Sequence, residues 1–164
     1  MSLDGSWPPE DFPNLKSSDG RVTSESTSDY NCLGWAAGEM VWWEPDPDDT
    51  YYWPPGAPRT YTLEAYIAAY KSIGYQPCDT AELEDGFEKI VLYRSEEEYP
   101  PHAARQLPSG RWTSKLGPYE DIEHSTLDCL RGDLYGQPFL YLRRPTTHPS
   151  PGAAGERLNP EKPG

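Results

Sequence analysis

A thiol, an imidazole and a hydroxyl occupy positions in this chain from which one pocket could use all three. Cys32 lies in Tyr30-Asn31-Cys32-Leu33-Gly34-Trp35-Ala36-Ala37-Gly38, where a polar lead-in gives way to small and apolar residues. That change marks a helix start, with Asn31 the nearest cap and Ser28 or Asp29 as alternatives. Unpaired amides and the helix dipole at such an end favour a thiolate, and a nearby imidazole lowers the thiol pKa further. His102 opens His102-Ala103-Ala104-Arg105-Gln106-Leu107, which Pro108-Ser109-Gly110 joins to Arg111-Trp112-Thr113-Ser114-Lys115-Leu116-Gly117. With Gly110 in the left-handed position this is a bulged hairpin in which Leu107 pairs with Arg111. His102 then faces Leu116, and His102, Ala104, Gln106, Trp112, Ser114 and Leu116 share one face. Ser114, diagonal to His102, can accept the imidazole N–H and leave the other ring nitrogen toward Cys32. The chemistry open to such a set is nucleophilic attack by sulfur. The competing reading makes Cys32 a small buried residue and His102 a hydrogen-bonded strand residue, because free cysteine is among the most buried residue types.

The elements that must position these residues follow from pattern. Residues 1–29 have little periodicity and are expected to be irregular, and residues 32–40 are expected to form the helix that carries Cys32. The stretch 41–56 is aromatic, acidic and broken by prolines, so a covering loop is expected. In it Trp42, Trp43 and Trp53 either wall a groove beside Cys32 or seal the core, the second being the simpler use of large rings. Leu63, Tyr66, Ile67, Tyr70 and Ile73 recur at helical spacing after Thr62, which can cap, and Gly74 stops the helix. Residues 76–86 read as a turn-rich link, 87–93 as a central strand, and 94–101 as an exposed loop that delivers the chain to His102. A short helix or two is expected over 118–134 and a last strand over 139–143. Residues 146–164, rich in Pro and Gly, read as a disordered tail, leaving residues 30–145 as a single domain.

Composition restricts the function classes. The net charge is −13, and residues 1–101 hold 20 acidic and 6 basic side chains against 7 and 8 in the remainder. Such a chain lacks the clustered Lys and Arg that nucleic acid or an anionic membrane requires. A protein partner is expected to meet either the acidic surface or the tryptophan-rich loop. No window approaches the ~18 apolar residues that span a bilayer, and no charged-then-apolar leader opens the chain, so a reducing cytoplasm is the expected location. The 21 aromatics, 12 of them Tyr and 6 Trp, supply buried area that the 35% apolar content alone would not. Cys32, Cys78 and Cys129 are odd in number and lack C-x-x-C spacing, which argues against a disulfide framework. No cofactor is expected. A metal set of Cys78, Cys129, His124 and Asp121 is a weaker alternative, and His148 in the tail needs no role.

The order and spacing of Asn31-Cys32-Leu33-Gly34, His102 and Ser114 resemble the NlpC-type and CHAP-type hydrolases of the papain-like superfamily. There an Asp-Cys-x-Gly motif opens the first helix, a histidine starts a hairpin, and a polar residue follows on the partner strand. The resemblance implies an α+β fold of papain-like arrangement, in which an N-terminal helix carrying the cysteine packs on a small antiparallel sheet. It implies Cys32 as nucleophile, His102 as general base and Ser114 as orienter, with Asp121 as a substitute for the weak serine. The expected activity is hydrolysis or acyl transfer at an amide bond of a peptide or similar substrate, with the Cys32 backbone N–H helping to hold the oxyanion. The alternative is a non-catalytic, acidic protein-interaction domain. The wider pattern, with Gly34-Trp35-Ala36, Trp42-Trp43, Tyr52-Trp53-Pro54, His102-Ala103-Ala104-Arg105-Gln106 and Trp112-Thr113-Ser114-Lys115-Leu116-Gly117, resembles an uncharacterised bacterial domain family.

Overall fold

The computed structural model describes residues 5–95, 100 and 102–146. One seven-stranded sheet dominates it. In chain order the strands are β1 (Gly20–Val22), β2 (Gln76–Cys78), β3 (Phe87–Arg94), β4 (His102–Gln106), β5 (Trp112–Lys115), β6 (Asp121–His124) and β7 (Gln137–Pro145). Across the sheet they run β1-β6-β5-β4-β3-β7-β2, and every pairing is antiparallel. Two α-helices accompany them: α1 (Cys32–Ala36) and α2 (Leu63–Lys71).

This architecture corrects the papain-like α+β expectation: the chain is a β-rich fold in which α1 is a single short turn-and-a-half. Two glycines explain why the helix stops well before residue 40. Gly38 has φ of 86°, which turns the backbone out of the helix. The returning chain crosses Gly34 so closely that a Cβ there would stand 1.9 Å from the Val41 carbonyl oxygen. Asn31 locks this return. Its Oδ1 accepts from the amides of Gly34 and Trp43, and its Nδ2 donates to the Trp43 carbonyl at 2.7 Å.

Three further segments differ from their sequence expectation. The 118–134 stretch holds strand β6 and a 3-10 turn at Leu127–Leu130 in place of α-helix. Asp121-Ile122-Glu123-His124 alternates in character, and pairing on both sides, with β5 and β1, settles its conformation. Strands β1 and β2 likewise arise from stretches expected to be irregular, because short edge strands need little intrinsic propensity once a neighbour offers its open backbone. Beyond Thr146 the expected tail, with His148, lies outside the described residues.

The central strand β3 is buried on both faces, as a continuous apolar run requires. On one face lie Ile90, Leu92, Ala103 and Leu142, with α1, α2, Trp43 and Trp53. Thr62 caps α2 by accepting the Ala65 amide, and the helix inserts Ala65, Tyr66, Ala69 and Tyr70. Trp43 stacks on Tyr70 at 5.6 Å between centroids and Trp53 meets Tyr66 edge-on at 5.3 Å, so these tryptophans seal the core. Burial of each such ring contributes roughly 2–3 kcal/mol. On the opposite face Val91, Tyr93, Ala104, Trp112, Leu116 and Ile122 pack with Leu130, Tyr135, Phe12 and Trp7. The N-terminal segment thus lies across the back of the sheet.

Candidate active site

The site is assembled at the His102 end of β4. Leu107 donates its amide to Arg111, which turns the backbone groups of residues 107, 105 and 103 toward β5. The β4–β5 register runs through Arg105↔Thr113 and Gln106↔Trp112. At Ala103, two residues further on, the amide meets the sulfur of Cys32, which α1 presses against the strand. The backbone amides of Cys32 and Leu33 also lie on that sulfur. Cys32 packs with the cluster on the α1 face that contains Ala103.

His102 comes from the neighbouring position and, by alternation, its side chain lies on the opposite face from Ala103. It is fully buried there. Its ring stacks on Tyr135 at 4.1 Å and 8° between planes and meets Tyr93 edge-on at 5.2 Å. Nε2 lies 3.0 Å from Ser114 Oγ. Ser114 Oγ lies 2.8 Å from His124 Nε2, and His124 Nδ1 lies 2.9 Å from the Thr126 carbonyl oxygen. His102 Nδ1 is buried with no hydrogen-bond partner among the described residues. The structure thus brings His102 and Ser114 into direct contact. It sets Cys32 on the amide that follows His102, without a hydrogen bond from the thiol to Nδ1.

Asp121 does not join this group. Its side chain lies on the α1 face, where it accepts from Tyr30 Oη at 2.7 Å. It neighbours the buried Lys115, whose Nζ donates to the carbonyls of Thr27 and Gly117, each at 2.7 Å, and of Tyr119. Lys115 also lies 5.2 Å over the Tyr30 ring. Its charge is close enough to act on the Cys32 thiol.

Electrostatics at the site differ from the sequence expectation of an activated thiolate. Desolvation raises the Cys32 pKa to about 11, outweighing the amides of Ala103, Cys32 and Leu33 and the charge of Lys115, which all lower it. Desolvation likewise holds His102 well below its ordinary value, with repulsion from His124 acting in the same direction. His124 falls to about 4, again mainly through burial, although the Thr126 carbonyl works against the shift. In the closed site the thiol keeps its proton and both imidazoles are neutral.

The alternative metal set is not assembled: among the described residues no group of three or more His, Cys, Asp and Glu side chains is gathered to hold a metal ion. His124 faces Ser114 on one side of the sheet while Asp121 faces Tyr30 on the other. Of the three tryptophans suggested as groove walls, Trp43 and Trp53 are core. Trp42 stays partly exposed, donating to Glu44 at 2.9 Å. Sequence reasoning missed Tyr135, and it placed His124 in the alternative metal set and not beside Ser114. Reading Ile122 and His124 as one face of a strand would have placed His124 diagonal to Ser114; nothing in the local sequence signals Tyr135.

Fold and site together define a class: an antiparallel-sheet protein with a cysteine at a short helix start and a hydroxyl-bridged histidine pair within the sheet's packing. The chain belongs to the family described as Domain of unknown function (DUF7689), whose model matches residues 21–143. No curated protein and no solved structure matches the chain. The likeness to an uncharacterised domain family therefore holds, and the papain-like likeness finds no match in support. Among the described residues no helix is long and apolar enough to cross a membrane.

Proposed function

We propose that this protein is a cysteine-dependent hydrolase or acyltransferase acting on an amide bond, with Cys32 as nucleophile, His102 as general base and Ser114 as orienter. The observation that carries the reading is the asymmetry of His102. One nitrogen is held by Ser114, and the other is buried without a partner among the described residues, on the residue next to the amide that contacts the Cys32 sulfur. A buried unpaired ring nitrogen costs stability, about 1–3 kcal/mol, and such costs are retained where a site needs the group.

In this mechanism His102 Nδ1 takes the thiol proton as sulfur attacks the carbonyl carbon, and returns it to the departing amine nitrogen as the C–N bond breaks. The product is a thioester on Cys32 and a free amine. Water, giving a proton to the same Nδ1, then attacks the thioester and yields a carboxylic acid and the restored thiol; an amine in place of water yields a transferred acyl group. The raised thiol pKa and lowered imidazole pKa place proton transfer within the attack step, with no thiolate–imidazolium pair at rest.

The test is acylation by a small activated ester, p-nitrophenyl acetate, read as a mass increment on tryptic peptides. Acetylation at Cys32 should fall about 10²-fold or more in His102→Ala, the range for loss of a general base, and vanish in Cys32→Ser. Acylation of Cys32 that is indifferent to His102, or slower than that of Cys78, sinks the proposal. Full burial of His102 favours a second reading, a non-catalytic interaction domain; in that case His102→Ala leaves acylation of Cys32 unchanged and no faster than that of Cys78.

A further inference from the structure

We propose that His124 is a positioning residue that acts through the Ser114 hydroxyl to fix His102 in the tautomer with its proton on Nε2 and a bare Nδ1. The hydrogen-bond chain ends at a group that can only accept. The Thr126 carbonyl oxygen lies 2.9 Å from His124 Nδ1, so that nitrogen must carry a proton and donate it. A neutral imidazole has one N–H, which leaves His124 Nε2 as a lone pair. Ser114 Oγ, 2.8 Å away, therefore points its single hydroxyl proton at His124. With that proton committed, Ser114 meets His102 Nε2 at 3.0 Å as an acceptor, and His102 must donate. His102 is neutral as well, so its proton is on Nε2 and its lone pair is on Nδ1. One backbone carbonyl thus sets the direction of three successive hydrogen bonds.

Packing keeps the relay from reversing. His102, Ser114 and His124 are all fully buried, and the stacked Tyr135 and edge-on Tyr93 prevent the His102 ring from rotating to exchange its nitrogens. Burial keeps both rings neutral near pH 7, so each carries a single ring proton. A serine alone can donate or accept and so does not choose a tautomer; His124 removes that freedom. That the bare nitrogen serves Cys32 rests on the acyl-transfer reading, whereas the tautomer itself does not.

The experiment is long-range 1H–15N correlation of the full chain labelled with 15N-histidine, at pH 7, with peaks assigned by His102→Gln and His124→Gln. The expected pattern is a protonated Nε2 with bare Nδ1 for His102 and the reverse for His124. His124→Phe removes the acceptor, frees the Ser114 proton to turn toward His102, and should abolish the single-tautomer signature of His102. A wild-type spectrum with bare Nε2 on His102, or with averaged tautomers, overturns the proposal, as does a folded His124→Phe that keeps the wild-type His102 pattern. If His124→Phe does not fold, the wild-type spectrum decides alone. The expected tautomers together with ester acylation indifferent to His102 would uphold the relay and end the enzymatic reading.

Discussion

The Cys32 thiol gives a quantitative test of which force governs the site. Burial raises its pKa to about 11 against an ordinary ~8.5, although three amides and Lys115 oppose the shift. At pH 7.5 the thiolate fraction is then about 3 × 10⁻⁴ instead of about 0.1, a loss of about 300-fold. A more basic thiolate is intrinsically more nucleophilic, and a Brønsted slope near 0.4–0.5 restores about tenfold of this. Alkylation of Cys32 by iodoacetamide in the folded chain should therefore run about 20–30-fold slower than in the guanidinium-unfolded chain, before any steric protection. The rate should climb about tenfold per pH unit from pH 8 to 10 without a plateau. Quantifying the Cys32 peptide by mass spectrometry across that range measures both features. A plateau below about pH 9, or faster labelling when folded, refutes the reasoning. It would mean that the amides and Lys115 outweigh desolvation and that a thiolate exists at rest.

Two other outcomes follow from the buried polar groups. His102 and His124 are held below the ordinary histidine value of 6.5, so in acid the unfolded chain binds protons first. Stability present above pH 6.5 is lost as pH falls toward about 4 for His124 and further for His102, by ~2–3 kcal/mol per imidazole between pH 7 and 4.5. Urea midpoints across that interval measure the loss, and a flat profile contradicts it. Lys115→Met should cost ~3–5 kcal/mol in urea unfolding, because the carbonyls of Thr27, Gly117 and Tyr119 would all lose a charged donor inside the protein. A loss no larger than that of the exposed Arg21→Met would show that water replaces the ammonium there.

The molecule separates what local sequence determines from what assembly determines. Thr62 as a cap, the helix behind it, the apolar run of β3 and the Pro108-Ser109-Gly110 hairpin were legible because each is governed by residues within a few positions. The hairpin in turn made the His102 and Ser114 contact legible, since strand alternation and a fixed turn leave little else to decide. Helix α1 was misread in length because its end depends on the chain from 38 to 43 returning over Gly34, a tertiary contact. Strand β6 was misread because pairing with two neighbours, not propensity, selects its conformation.

That misreading hid the contact of His124 with Ser114, and with it the carbonyl that gives the histidine pair its direction. The sequence by itself determined which groups are present and which share a strand face. Only the tertiary structure decided that desolvation leaves the thiol protonated and the imidazoles neutral, because the energy of a charge depends on what surrounds it in space, which residue order does not specify.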